Sequence, residues 1–293
     1  MTAVSVIVNP SAARGRARRA LPAVQARLAA LGLEHRVTLT RDLDHARELG
    51  RAAAAAGEIA AAFGGDGVIG AVAGALQGTE GVLGILPGGR GNDIARTLGV
   101  PNDPEAACDV LAHGEVSHLD LGRVGTATFI GIASCGFDSD ANRIANTTRL
   151  VRGNLVYAYG ALRALASWSP ATFEVRVDGG EPRRVRGYSV AAANSKAYGG
   201  GMLLAPEASL HDGLLDVVTI SYMPKLRFLR LLPTVFTGAH VRQPNVEIVR
   251  GRRVRVSADR PFLLYADGDP IAPLPVEIEA VAAAVRVLVP AAA

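Results

Sequence analysis

The chain has 293 residues, 49% hydrophobic and 20% charged, which excludes a disordered protein and gives enough apolar material for two domains of ordinary size. A formal charge of +4 favours anionic partners such as nucleotides, phospholipid headgroups or nucleic acid, although basic side chains spread over many surfaces give the same total. Cys108 and Cys135 are too few and too far apart for a disulfide framework or a zinc cage, so a reducing cytosol is expected.

The first residues run directly into an apolar strand without the shape of a signal peptide, and no stretch reaches the ~18 uninterrupted apolar residues that a spanning helix needs. A cytoplasmic protein with at most peripheral membrane contact is therefore expected.

Strand and helix patterns alternate through the first hundred residues. Ala3 to Val8 is a short apolar strand ending at Asn9-Pro10, and Ala17 to Leu31 repeats apolar positions at helical spacing up to Gly32. Glu34 to Leu39 is strand-like, Asp44 to Ala56 helical, Glu58 to Phe63 a buried strand and Val68 to Leu76 helical. Val82 to Leu86 is a further strand, with a helix from about Asn92 to Leu98. This order predicts a Rossmann-like parallel sheet with helices on its faces.

Beyond Leu119 the pattern changes to short β-like runs at 119–135, 172–178, 184–193, 214–222, 245–249, 252–257 and 262–266. They predict an antiparallel, sandwich-like second domain, interrupted by helices over Asn154 to Ser167 and Lys225 to Thr237. The expected division is 1–118, 119–275 and a C-terminal segment, 276–293, that can pair with either domain.

The strongest local signal is Phe63-Gly64-Gly65-Asp66-Gly67 directly after a buried strand. Glycines there allow the backbone to approach a ligand with its amides pointing at phosphate oxygens, and the next helix adds its N-terminal dipole. Asp66 is an acceptor suited to a ribose or a hydrated magnesium ion; a tight structural turn is the plainer alternative. One strand later comes a second glycine-rich turn, Pro87-Gly88-Gly89-Arg90-Gly91-Asn92-Asp93, where Asn92 or Asp93 can cap the next helix. Two such turns at the carboxyl ends of neighbouring parallel strands mark the edge where open α/β sheets bind ligands. Neither the P-loop nor the G-x-G-x-x-G dinucleotide pattern is present.

Taken in order, NPSA (9–12), Thr40, GGDG (64–67), LPGGRGNDIAR (86–96), LDLG (119–122), GFD (136–138), HDGLLDV (211–217) and DGD (267–269) resemble the diacylglycerol kinase catalytic family, in particular its bacterial soluble lipid kinases. The resemblance implies an ATP- and Mg²⁺-dependent lipid kinase that transfers the γ-phosphate to the hydroxyl of diacylglycerol or a related lipid. It places ATP on Asn9, Pro10, Ser11, Ala12, Ala13, Thr40, Gly64, Gly65, Asp66, Gly67 and Val68, continuing to Ala71, with Gly89, Arg90, Gly91 and Asn92 from the second turn. It implies that Asp93 and Asp120 assist the catalytic magnesium and that Asp212, with Ser209 and Leu214, holds a separate one. The catalytic carboxylates it implies are Asp66, Asp267 and Asp269, with Asp269 as the base that takes the lipid hydroxyl proton.

Three motifs and the helix after one of them depart from the family pattern. Asp269 replaces a glutamate, Val68 a threonine and Arg90 a threonine, while Gly70-Ala71 stands where an Asn-Glu pair is common. Phosphoryl transfer rests on positioning and charge neutralisation, so a reach shorter by one methylene bears directly on activity. Two other readings remain: a soluble NAD kinase-like enzyme, and a non-catalytic nucleotide- or lipid-binding relative. A nucleic-acid partner is not expected, and a homodimer is left open.

Lys225 to Phe236 (KLRFLRLLPTVF) is a short amphipathic element, either a core helix with snorkelling basic side chains or a segment resting on an anionic bilayer. Trp168, Tyr157, Tyr159 and Tyr198 fit an acyl groove or an ordinary core. Asp138 and Asp140 read as a polar loop, and the sequon Asn146-Thr147-Thr148 carries no weight without a sign of secretion.

Overall fold

The computed structural model describes residues 3–147 and 155–291. Its first half is a parallel sheet of β1 (Val4–Val8), β2 (His35–Leu39), β3 (Ile59–Gly64) and β4 (Val82–Pro87) in the order β2-β1-β3-β4. The helices between them are α1 (Arg16–Ala30), α2 (Leu43–Ala55), α3 (Asp66–Leu76) and the short α4 (Asp93–Thr97), followed by α5 (Pro104–His113). β1 and β3 are buried at every position, as central parallel strands covered on both faces must be. The register pairs Phe63 with Leu86 and Gly64 with Pro87, so the two glycine-rich turns leave the sheet at the same level.

The second half is antiparallel, with β5 (Glu115–Val124), β6 (Ala127–Phe129) and β7 (Ile132–Gly136) followed by α6 (Phe137–Thr147) and α7 (Leu155–Ser167). Then come β8 (Ala171–Val177), β9 (Arg183–Ala193), β10 (Leu215–Ser221), α8 (Lys225–Leu231), β11 (Val246–Gly251), β12 (Arg253–Ala258), β13 (Leu263–Ala266), β14 (Asp269–Pro273) and β15 (Val276–Val289). One core lies between Val124, Phe173, Val190, Val254 and Leu264. A second surrounds Phe137, Trp168, Tyr188 and Phe228, where Tyr188 stacks on Phe228 at 3.9 Å.

Strand β15 joins the halves. It pairs antiparallel with β12 through Val276 to Glu279, antiparallel with β5 from Glu279 to Val289, and parallel with β4 at Arg286 and Val287. A bulge between Val281 and Val285 includes Ala283 at φ 48, and its amide is used below.

Two helices differ from the sequence expectation. In α5, Asp103 caps the amide of Ala106 and Pro104 opens the helix, a start signal that the sequence carried. Asp138 and Asp140 lie in the first turn of α6 rather than in a polar loop. Burial pushes the Asp138 carboxyl up to about 6. Trp168 and Tyr198 pack in or against the aromatic core, whereas the side chains of Tyr157 and Tyr159 lie outside those described. Lys225 to Thr237 forms α8 and a following 3₁₀ turn, Leu232–Thr237.

Candidate active site

The two glycine-rich turns pack backbone to backbone. A Cβ on Gly65 would lie 3.3 Å from Gly89 Cα, and one on Gly89 would collide with Gly65 Cα. The Gly88 amide donates to the Gly64 carbonyl at 2.7 Å. Only residues without a side chain can bring these turns so close, and the approach leaves backbone as the surface that meets a ligand.

Asn92 sits at φ 54, and its Oδ1 accepts from the Gly89 amide at 2.8 Å while its Nδ2 donates to Asn102. Its side chain thus braces the second turn from within. Arg90 is exposed on that turn. Val68, 2% exposed, packs under Gly64, so the family's threonine position is here part of the apolar floor.

The turn after β1 completes the edge. The Asn9 amide donates to the Phe63 carbonyl, and Asn9 Oδ1 accepts from the amide and hydroxyl of Ser11. Ala12 begins a short 3₁₀ turn in which Ala13, Arg14 and Gly15 all have positive φ. Successive left-handed residues of this kind turn their amides into a concavity suited to an anion. Pro10 lies between Asn9 and that turn, and Thr40, buried, donates its amide to the Val8 carbonyl at the end of β2. Gly67 and Ala71 follow on α3, and Gly91 sits against Gly200 of the second half.

The carboxylates meet where the halves meet. Asp66 opens α3 and accepts from the Ile94 amide at 3.0 Å. Burial raises its pKa, and the neighbouring Asp93 charge adds to this against the opposing amide bonds. Asp93 accepts from Arg96 at 2.9 Å and from the Gly200 amide at 2.7 Å. Asp267, at φ 51, accepts from the amides of Ile130 and Gly131, each at 2.9 Å. Burial first, and then the Asp66 charge, push its carboxyl up to about 7 against those amide bonds. A Cβ at Gly70 would lie 3.1 Å from Asp267 Oδ2, so the missing side chain on α3 is the space that this carboxylate uses.

Asp269 differs from Asp267 two residues away. It begins β14 and is exposed, and partial burial raises its pKa against the charge of Arg47. The loop therefore holds one carboxylate fixed by backbone amides and presents the other at the surface.

Asp120 bonds to a different set of amides. Buried on β5, it accepts from the Gly213 amide at 2.6 Å and from the Ala283 amide at 2.7 Å. It ties the Ser209–Leu214 turn and the β15 bulge to one strand. In that turn, Ser209 Oγ accepts from the His211 amide and Asp212 Oδ1 from the Leu214 amide, with Asp212 exposed. Among the described residues no three His, Cys, Asp or Glu side chains converge as a metal cage.

Sequence reasoning missed Asn194 and Gly200. Asn194 is fully buried, and its Nδ2 donates to the carbonyls of Asp120 and Ile130. It holds the strand of Asp120 and the partner peptide of Asp267 in one frame. Gly200 lies in a run of three glycines with positive φ, Gly199 to Gly201, which the sequence displays plainly without saying what it would meet.

A parallel sheet whose glycine turns abut at one edge, facing carboxylates from an antiparallel half, is the architecture of a nucleotide-dependent kinase. Residues 3–124 match the diacylglycerol kinase catalytic domain, and residues 131–289 match the YegS C-terminal NAD kinase beta sandwich-like domain. A diacylglycerol kinase of Mycobacterium tuberculosis strain H37Rv is 38% identical over 98% of this chain and 95% of its own length. A diacylglycerol kinase of Bacillus subtilis strain 168 is 29% identical over 92% and 90%. The crystal structure of a diacylglycerol kinase from Bacillus anthracis str. Sterne superposes with a TM-score of 0.76 at 19% identity, covering 99% and 97%. That of an Archaeoglobus fulgidus NAD kinase in complex with ATP reaches 0.55 at 15%, covering 97% and 92%. The chain belongs to the diacylglycerol kinase family and is a lipid kinase.

Proposed function

We propose that this lipid kinase transfers the γ-phosphate of ATP to the hydroxyl of diacylglycerol or a closely related lipid, in the cytoplasm at the membrane surface. The observation that carries the reading is the abutment of Gly65 and Gly89 beside Asp66. It makes a seat without side chains, where phosphates can approach the backbone, with a carboxylate at its rim.

The donor set suits Mg²⁺, which commonly takes one or two carboxylates and fills its remaining positions with phosphates and water. Asp66 and Asp93, close enough that the Asp93 charge adds to the rise in the Asp66 pKa, are the residues that would hold it. When bound, the ion neutralises the charge of the transferring phosphoryl group. The Ser209–Leu214 turn, with its exposed Asp212, is proposed as the second, structural cation site.

Asp269 is proposed as the base. Both oxygens of Asp267 are engaged by backbone amides, so its part is to hold the loop, while the exposed Asp269 is left for an acceptor hydroxyl. The hydroxyl proton passes to the Asp269 carboxylate, the hydroxyl oxygen bonds to the γ-phosphorus, and the bond to the ADP oxygen breaks.

The test is transfer of labelled γ-phosphate from ATP-Mg to a panel of lipids in mixed micelles, with NAD as the soluble acceptor control. Turnover confined to diacylglycerol-type lipids and lost in Asp269→Asn is expected. Phosphorylation of NAD, or of no acceptor despite ATP binding, overturns the reading.

A further inference from the structure

We propose that the face formed by α8 and its following 3₁₀ turn seats the protein on an anionic phospholipid bilayer. This rests on the lipid-kinase reading above and deepens it by assigning the surface that meets the membrane.

The helix buries only Phe228 and Leu231, and the turn adds Val235. That leaves Leu226 at 72%, Phe236 at 55% and Leu229 turned outward. Exposed single hydrophobic residues are ordinary, but these are grouped. Of the eight large hydrophobic side chains exposed among the described residues, three (Leu226, Leu229 and Phe236) fall within this one segment and a fourth, Tyr222, lies three residues before it. A fifth, Leu162 of α7, is one helical turn from Ala166, whose carbonyl accepts from Lys225 Nζ at 3.0 Å.

Charge commits the face to one partner. From Val217 to Val246 the chain contains four basic residues, Lys225, Arg227, Arg230 and Arg242, and no acidic one. Lys225, Arg227 and Arg230 are exposed among the outward apolar side chains, and Arg186 lies over the Tyr222 ring at 5.6 Å. A second copy of the same cationic face would be repelled. An anionic bilayer satisfies both features at once, taking apolar side chains below the headgroups and cations among them.

The face is also wired to the catalytic cleft. The Leu203 amide donates to the Val235 carbonyl at 2.9 Å, Gly238 lies against Pro206, and Tyr198 and Met202 exchange backbone hydrogen bonds around the three-glycine loop. Gly200 of that loop holds Asp93. Seating this face therefore brings the bilayer beside the loop that closes over the nucleotide turns.

The experiment is co-sedimentation of the full chain, without nucleotide, with phosphatidylglycerol or phosphatidylcholine vesicles. Retention on phosphatidylglycerol at least tenfold above phosphatidylcholine, weakening with salt, is expected. L226S/L229S/F236S should lose at least tenfold, and R227Q and R230Q about fivefold each. L39S/V116S, which removes exposed apolar side chains elsewhere, should bind as wild type. Equal binding to both vesicles, or undiminished binding by the triple variant, overturns the proposal, as does a dimer that the triple variant dissolves while its vesicle binding stays intact. Phosphorylation of a short-chain, monomeric diacylglycerol separates the two readings: a failed kinase that still sediments sinks the catalytic reading alone, and a working kinase that does not sediment sinks this one alone.

Discussion

The Asp93 carboxylate accepts the Gly200 amide at 2.7 Å, and this bond fastens the second nucleotide turn of the first half to the glycine loop of the other. The remaining Asp93 oxygen holds Arg96 at 2.9 Å. Neither bond survives truncation, and the Gly200 amide is left without its acceptor. Asp93→Ala should therefore lower stability by about 1.5–3 kcal/mol in urea unfolding. Its kcat should fall at least tenfold, since the turn also loses a carboxylate beside Asp66. An active, equally stable variant would remove Asp93 from both roles.

The abutment of Gly65 and Gly89 predicts a sharper effect from a single methyl. Gly89→Ala places a Cβ against Gly65 Cα and 2.7 Å from Asn92 Oδ1, both held by backbone or buried bonds that cannot swing aside. ATP affinity measured by calorimetry should drop at least a hundredfold. Gly67→Ala, whose Cβ would meet no protein atom, should unfold in urea at nearly the wild-type concentration.

Asp267 predicts a pH dependence. Its carboxyl ordinarily titrates near 3.8 and is pushed up to about 7 in the fold. Between these values the folded chain holds a proton that the unfolded chain has released, so this group's contribution is full below about 4 and is lost as pH rises through 7. Asp267→Asn cannot titrate. Its stability deficit against wild type, measured by urea unfolding, should shrink between pH 5 and pH 8. A constant deficit would show that Asp267 titrates normally.

Asp120 binds three segments through two amides, those of Gly213 and Ala283. Asp120→Ala should lower stability by about 3 kcal/mol and free the β15 bulge. Hydrogen exchange should then rise first at Ala283 and Gly213. Protection unchanged at those two amides would contradict the assignment.

Much of the fold was legible because it is local. A short buried run such as Ile59 to Phe63, closed by glycines, reads as a covered strand followed by a turn, and it is one. The order of motifs from Asn9 to Asp269 carried the family and the lipid-kinase activity. The start of α5 is equally local, in Asp103-Pro104.

The alternation of strands and helices, the paired glycine turns and the kinase family are each encoded in neighbouring residues. The remaining features depend on residues far apart in the chain. Nothing near Gly70 says that its absent side chain makes room for Asp267, 197 positions away. Two aspartates two residues apart look equivalent until Ile130 and Gly131 engage one and leave the other exposed. The final strand could have joined either half, and its pairing with β4, β5 and β12 joins both. A carboxylate's role depends on which amides and charges surround it, and only folding brings those together.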